Sequence, residues 1–217
     1  MPVNLWPDVD HALAYLRKAD TIPHRTEGEA ELLAQLPDRV GSVIDLGCGD
    51  GRLLALVLTA YPGAHGVAAD FSPPMLERAE ERFAGDDRVT VVGHDLDTPV
   101  GGLAPPHTVD AVVSSFAIHH LVDQRKRALY EEVFGLLRPG GVFANLEHVA
   151  SPDAHLHEQF LTRIGTDPAD DDPSNKLTAV DTQLGWLRDL GFVHGHCAWK
   201  WLELALLIGR KPSEAGA

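Results

Sequence analysis

Three acidic side chains and a run of glycines are the residues of this chain best suited to hold a ligand. The segment Asp45-Leu46-Gly47-Cys48-Gly49-Asp50-Gly51 places three glycines in five positions. Glycine takes positive φ at no steric cost and lets a ligand come close to the backbone. A helix beginning at Arg52 would offer its unpaired N–H groups to a carboxylate or a phosphate. NAD and FAD proteins use a related turn, so the glycines alone do not choose the ligand. Two downstream acids narrow the choice. Asp70 ends the next apolar run, where a carboxylate can accept both hydroxyls of a ribose. In Gly93-His94-Asp95-Leu96, Asp95 can take an exocyclic amine while the Leu96 N–H meets an adenine ring. Asp45 has two readings: direct contact with the ligand, or fixing of the loop backbone.

A second group of residues has the chemistry of proton transfer. His119 and His120 follow the fourth predicted strand, and Glu147 and His148 end the fifth. Open α/β sheets bind ligands at these carboxyl ends, and histidine and carboxylate are the usual general bases. The four are therefore the candidate catalytic residues. His155 and His157 extend a histidine-rich rim, but residues two apart do not share a helix face. The spacing matches no metal-binding motif, and no metal is expected. Arg25, in Ile22-Pro23-His24-Arg25-Thr26-Glu27, can either clamp a carboxylate with its guanidinium fork or sit on the surface at a helix start.

The pattern of apolar residues supplies the elements that hold these groups. Helical spacing covers Val9 to Lys18 and Glu27 to Leu36. Short apolar runs predict strands at Val40 to Leu46, His65 to Ala69, Val89 to Gly93, Val109 to Ser114 and Val142 to Glu147. Helices are predicted between them at Arg52 to Ala60, Pro74 to Phe83 and Gln124 to Leu137, and Pro139-Gly140-Gly141 reads as a turn. This alternation implies right-handed βαβ units and a mostly parallel sheet. The rhythm then changes. Ala154 to Ile164 reads as helix, Gly165 to Lys176 as an acidic loop or mobile lid, and Thr182 to Leu190 as helix. Phe192 to Trp199 and Leu202 to Gly209 form an antiparallel hairpin with Trp199 and Trp201 on one face.

Composition excludes several roles. With 32 acidic against 18 basic residues in 217, the formal charge is −14, which argues against a nucleic-acid substrate. The one basic cluster, Arg125-Lys126-Arg127, is expected on a solvated helix face. Met1 to Asp10 lacks the basic-then-apolar order of a signal peptide, and no apolar stretch nears the roughly 20 residues that span a bilayer. Cys48 and Cys197, the only cysteines, lie in different elements and suit a reducing, cytoplasmic location.

Taken together, these motifs resemble the class I S-adenosylmethionine (SAM)-dependent methyltransferases over nearly the whole chain. The glycine loop is similar to that family's first motif, and Asp70-Phe71-Ser72 with Met75-Leu76 to its second. Asp95-Leu96 is similar to the adenine motif. Val109 to Ser114 leading to His119-His120-Leu121 is similar to the fourth strand, and Leu137-Arg138-Pro139-Gly140-Gly141 to the turn before the fifth.

The resemblance implies an α/β, Rossmann-like three-layer sandwich. Its sheet is seven-stranded and mostly parallel, with an antiparallel C-terminal hairpin. An N-terminal helical cap would cover residues 1–37 and the cofactor-binding domain 38–211. A lid insertion would lie at about 151–180 and a tail at 212–217. The resemblance also implies SAM as cofactor and S-adenosylhomocysteine as product. Gly47, Cys48 and Gly49 would face the methionine part, with Asp45 beside them and Arg25 on the carboxylate. Asp70 would hold the ribose, Phe71 and Met75 would pack against the nucleoside, and Asp95 and Leu96 would bind adenine. Phe116 would lie near the sulfur, and Ser114 would also belong to the cofactor-binding set. The expected partner is a small-molecule acceptor methylated at O, N or S, on a monomer or homodimer without membrane association. An NAD(P)-dependent oxidoreductase or a noncatalytic SAM-binding protein remains as an alternative.

Overall fold

The computed structural model describes residues 22–213; the helix expected over 9–18 and the end of the expected tail, 214–217, lie outside them. The elements are α1 (Arg25–Gln35), β1 (Ser42–Leu46), α2 (Arg52–Ala60), β2 (His65–Asp70), α3 (Pro73–Arg82), β3 (Val89–Gly93), β4 (Val109–Ser115), α4 (Asp123–Leu136), β5 (Leu137–His148), α5 (Ala154–Arg163), α6 (Val180–Asp189), β6 (Val193–Trp201) and β7 (Leu204–Arg210). Single 3-10 turns occur at Val100–Gly102, Ile118–His120 and Pro168–Asp170.

The seven strands form one sheet in the order β3-β2-β1-β4-β5-β7-β6. Strands β1 to β5 are parallel, and β7 runs antiparallel to both β5 and β6. The chain builds outward from β1 through β2 to β3, then returns to lay β4 on the other side of β1. The connections of β1 and β4 therefore leave in opposite directions, and a crevice opens at their carboxyl ends.

Alternation along each strand divides the core between the two faces. One face packs Val43, Ala111, Val113, Val142, Ala144 and Leu146 against α1, α2 and α5, and both Trp199 and Trp201 lie against this cluster. The other packs Ile44, Leu46, Val112 and Phe143 against α4 and α6. Leu32 of α1, fully buried, belongs to the first cluster, and Arg210 Nη2 donates to the Gln35 carbonyl at 2.7 Å.

Two details depart from the sequence reading. The expected turn at Pro139-Gly140-Gly141 lies inside β5, which starts at Leu137. The strand absorbs it through a register shift between Val109 and Ala111, and Lys211 continues the ladder through Gly140 and Gly141. A Cβ on Gly141 would stand 3.0–3.1 Å from three backbone carbonyls, so glycine is required there. In the hairpin, β6 carries an extra residue at two places, between Val193 and His196 and between Cys197 and Trp199. His194 takes positive φ in the first of these bulges.

A buried hydrogen-bond chain ties the α4 and α6 layer to the sheet. Tyr130 Oη donates to Gln183 Oε1 at 2.6 Å and accepts from Asn145 Nδ2 at 3.2 Å. Gln183 Nε2 donates to the Thr178 carbonyl at 3.0 Å. Tyr130→Phe leaves both partners short of a bond in a fully buried setting. Urea denaturation is expected to show a loss of about 1–3 kcal/mol with an unchanged fold by circular dichroism.

Candidate active site

The glycine turn hangs from β2: Gly47 N and Cys48 N both donate to the Ala69 carbonyl, at 2.8 and 3.0 Å. Gly47, Gly49 and Gly51 have φ of 65, 55 and 79°. A Cβ on Gly47 would overlap that of Ala117, so the turn and the chain leaving β4 touch only because the side chain is missing. At Gly49 the nearest atom to an added Cβ is Met75 Sδ, at 3.9 Å.

Asp45 lies beneath this turn, fully buried, and its Oδ2 accepts the Leu54 amide at 3.1 Å in the first turn of α2. Burial raises its pKa from 3.8 to about 8, the Leu54 bond only partly opposing it. Burial also pushes the Cys48 thiol well above its usual range. Asp70 closes β2, 8 % exposed. One oxygen accepts the Gly49 amide at 2.8 Å and the other the Ser72 amide at 2.9 Å. Burial raises its pKa, and those amides pull back toward the carboxylate. Phe71 is half-buried, and Met75 is buried in the first turns of α3.

The loop after β3 is held from α4. Asp95 is exposed, and its Oδ1 accepts the Asp97 amide at 2.9 Å. Leu96 is buried. Arg125 donates to the Leu96 carbonyl at 2.7 Å and the Thr98 carbonyl at 2.8 Å. Glu132 pairs with Arg125 at 2.6 Å and takes the Val100 amide at 3.0 Å. The expectation of a solvated basic cluster is therefore wrong for two of its members. Arg125 is a loop clamp, and Lys126 is 1 % exposed, with its ammonium on Thr178 Oγ1 at 2.6 Å and on the Lys176 carbonyl.

Phe116 leaves β4 with φ of 55°, a strained conformation for a bulky residue, and its amide donates to the Leu146 carbonyl at 2.8 Å. The Arg25 guanidinium lies 5.5 Å from the Phe116 ring centre. Arg25 is buried and bonds Glu29 at 2.8 Å; Glu29 also takes Arg52 at 3.0 Å, so two cations share one carboxylate. Ser114 Oγ donates to the Leu46 carbonyl at 2.7 Å, joining the ends of β4 and β1.

The four candidate catalytic residues gather at the ends of β4 and β5. His119 Nδ1 meets Glu147 Oε1 at 2.6 Å, and the His119 ring lies 4.0 Å from that of His120 and 5.5 Å from that of His148. Burial drives the His119 pKa well down and raises that of Glu147 to about 7. Glu147 Oε1 also accepts the His148 amide at 2.9 Å, which marks this oxygen as an acceptor and His119 Nδ1–H as its donor. His120, lowered to about 3 by burial and then by His119, bonds Ser174 Oγ at 2.9 Å. His148 Nε2 bonds Glu203 Oε2 at 2.8 Å, while its Nδ1 makes no hydrogen bond among the described residues.

The segment expected as a lid is anchored at its inner end: Lys176 N donates to the His119 carbonyl at 3.0 Å and Lys176 Nζ to that of His120. Of the rim histidines, His157 joins the site through Glu203 at 3.0 Å, while among the described residues His155 bonds Gln159 alone. Among the described residues no group of three His, Cys, Asp or Glu is arranged to hold a metal ion.

Comparison with known proteins identifies the family. A methyltransferase-domain model matches residues 44–143. An uncharacterized methyltransferase of Geobacillus kaustophilus is 32% identical over 172 residues, covering 76% of this chain and 75% of that protein. The chain belongs to the class I SAM-dependent methyltransferases. A demethylmenaquinone methyltransferase of Clavibacter sepedonicus is 40% identical over 111 residues, 51% of this chain but only 42% of its own length. This methyltransferase chain thus spans less than half of that relative. Its fold is also that of human N-acetylserotonin methyltransferase, solved in complex with SAM. There the TM-score is 0.69 at 17% identity, covering 96% of this chain and 58% of that one.

SAM is the cofactor of this family, and the donor set fits it. A buried carboxylate at the end of β2 and apolar Met75 and Leu96 suit an adenosine. At Gly49, with Met75 Sδ no nearer than ordinary van der Waals contact to an added Cβ and φ at 55°, the bare backbone suits close approach of the methionine chain.

The folded protein holds the Asp45 proton more tightly than the unfolded chain does. Stability from this group is complete below pH 3.8 and drains away as pH rises to about 8, at up to about 1.4 kcal/mol per pH unit. Asp45→Asn keeps an acceptor for Leu54. It is expected to flatten the fall in stability between pH 5 and 8, read from melting curves across that range; a parallel slope in the variant would contradict the assignment.

Proposed function

We propose that this chain binds SAM across the carboxyl ends of β1, β2 and β3 and methylates a small-molecule acceptor held over β4 and β5. The observation that carries this reading is the convergence of the glycine turn, Asp70 and the histidine cluster at the crevice between β1 and β4. Gly47, Cys48 and Gly49 line the methionine part, and Arg25 faces its carboxylate. Asp70 holds the ribose diol, with Phe71 and Met75 beside it. Asp95 and the Leu96 amide take the adenine edge, Asp45 and Ser114 brace the turn, and Phe116 covers the sulfur side.

Bound there, SAM supplies an electrophilic methyl group on a sulfonium. The protein must align the acceptor with that methyl and remove a proton if the acceptor arrives protonated. Among the four candidates, His148 is best placed to take it. His119 is committed to Glu147, and His120 to Ser174. His148 has a ring nitrogen left over among the described residues. His119 also keeps a ring nitrogen, Nε2, outside any hydrogen bond among the described residues, but its side chain is 8% exposed against 12% for His148, and burial holds its pKa well down. Glu147 then serves to hold His119 in the wall of the acceptor site.

Calorimetry should show SAM and S-adenosylhomocysteine binding, with Asp70→Ala losing about tenfold or more in affinity, because a carboxylate bonded to ligand hydroxyls contributes about 1.5–3 kcal/mol per bond. Tight NAD(H) binding without SAM binding would reverse the reading. Release of S-adenosylhomocysteine over a panel of phenols, carboxylic acids, amines and thiols tests turnover. On the acceptor that responds, His148→Gln is expected to lower kcat about 100-fold or more while SAM affinity stays within about twofold. An unaltered kcat would remove His148 from the reaction.

A further inference from the structure

We infer that Glu203 is a positioning residue for His148, and that His157 and Asp171 tie the same carboxylate to the 165–176 segment, so that base and lid share one anchor. This rests on the reading of His148 as the base.

Glu203 lies in the turn between β6 and β7, where antiparallel pairing sets Leu204 opposite His148 and the Val149 amide donates to the Glu203 carbonyl at 2.8 Å. Leu202, just before it, has φ of 51°, a conformation that bulky residues rarely hold. The turn delivers the Glu203 side chain inward to 1 % exposure. There Oε2 meets His148 Nε2 at 2.8 Å, and both oxygens meet His157 Nδ1 at 3.0 Å. Burial works to raise the Glu203 pKa, but hydrogen bonds from His148, Ser151 and His157 outweigh it and hold the group below its usual value.

An ionised carboxylate only accepts. His148 must then carry its proton on Nε2, which leaves the Nδ1 lone pair as the acceptor for a proton. When the acceptor group X–H attacks the methyl carbon, the C–S bond breaks and the X–H proton passes to His148 Nδ1. The imidazolium so formed sits against Glu203. Without Glu203 the ring is free to place its proton on Nδ1, where it cannot act as base.

His157 is held by carboxylates at both nitrogens, with Asp171 Oδ2 3.2 Å from Nε2. Two acceptor-only partners demand two donors, so His157 is a cation. Partial burial works against that charge, but Glu203 and Asp171 outweigh it and raise the pKa. This cation joins α5, the turn after β6 and the 165–176 segment. Asn175 Nδ2 also reaches Asp171, at 3.3 Å. The other ionisable groups around the cluster are His119, His120, Glu147, Lys126, Asp172 and Lys176.

Ring-nitrogen NMR on the protein saturated with S-adenosylhomocysteine tests the assignment. In the natural sequence His148 should be protonated at Nε2 and His157 at both nitrogens at pH 7. Glu203→Met removes the acceptor: His148 should show mixed tautomers, and kcat should fall about tenfold or more with SAM affinity unchanged. Glu203→Gln keeps an acceptor oxygen but not the charge, so the His148 tautomer should persist while the His157 midpoint falls by about one unit or more.

His157→Gln, which leaves Glu203 intact, should preserve the tautomer and speed proteolytic cleavage within 165–176. A pure Nε2–H tautomer in folded Glu203→Met overturns the positioning role, and unchanged cleavage in His157→Gln overturns the shared anchor. Absence of SAM binding or turnover in the natural sequence sinks the underlying reading instead, and is seen separately from the NMR result.

Discussion

The turn after β1 and the exit from β4 meet at Gly47 and Ala117, and there is no room at that contact for a side chain. The rest of the site follows from this approach. It lets the Gly47–Gly51 turn fold back onto the Ala69 carbonyl and presents Gly49 to Asp70. It also leaves Phe116 in its strained conformation beside Arg25. Such strain persists where the surroundings over-determine it. Here the Leu146 carbonyl and the Arg25 guanidinium fix the Phe116 residue from two sides.

The sheet and its cofactor end are legible in the sequence because they rest on local rules. Short apolar runs with glycine and proline between them place β1 to β4 and α2 within a residue or two. Asp70 and the Gly47 turn are recognisable because their spacing is imposed by strand length and turn geometry. The limits of β5 are not legible. Pro139-Gly140-Gly141 has the composition of a turn, and only pairing with Lys211, distant in the chain, keeps it in the ladder. Arg125 and Lys126 mislead for the same reason. A basic triplet reads as solvated until the loops at 96–98 and 176–178 fold over it.

The acceptor side was legible only by halves. His119, His120, Glu147 and His148 announce themselves by type and by their places after strands. Glu203 does not: it is a single acid in a hairpin turn, and its partners His148 and His157 come from β5 and α5. Glu29 left a faint signal, four residues after Arg25 on one helix; its second partner, Arg52, required the fold. Burying these charges is unfavourable unless each finds a counter-charge and hydrogen bonds. Arg25–Glu29–Arg52 and Glu203–His157 meet that condition with opposite charges, while His119 and His148 add hydrogen bonds to Glu147 and Glu203, which makes the site a set of mutually dependent polar groups.

The two surplus residues in β6 have a consequence at the margin of the molecule. This strand is the last of the sheet, and an edge with regularly spaced amides and carbonyls would template another chain. The irregularities near His194 and Cys197 break that spacing twice in nine residues. A strand laid alongside would fall out of phase at each, so this edge of the sheet resists pairing with that of a like molecule.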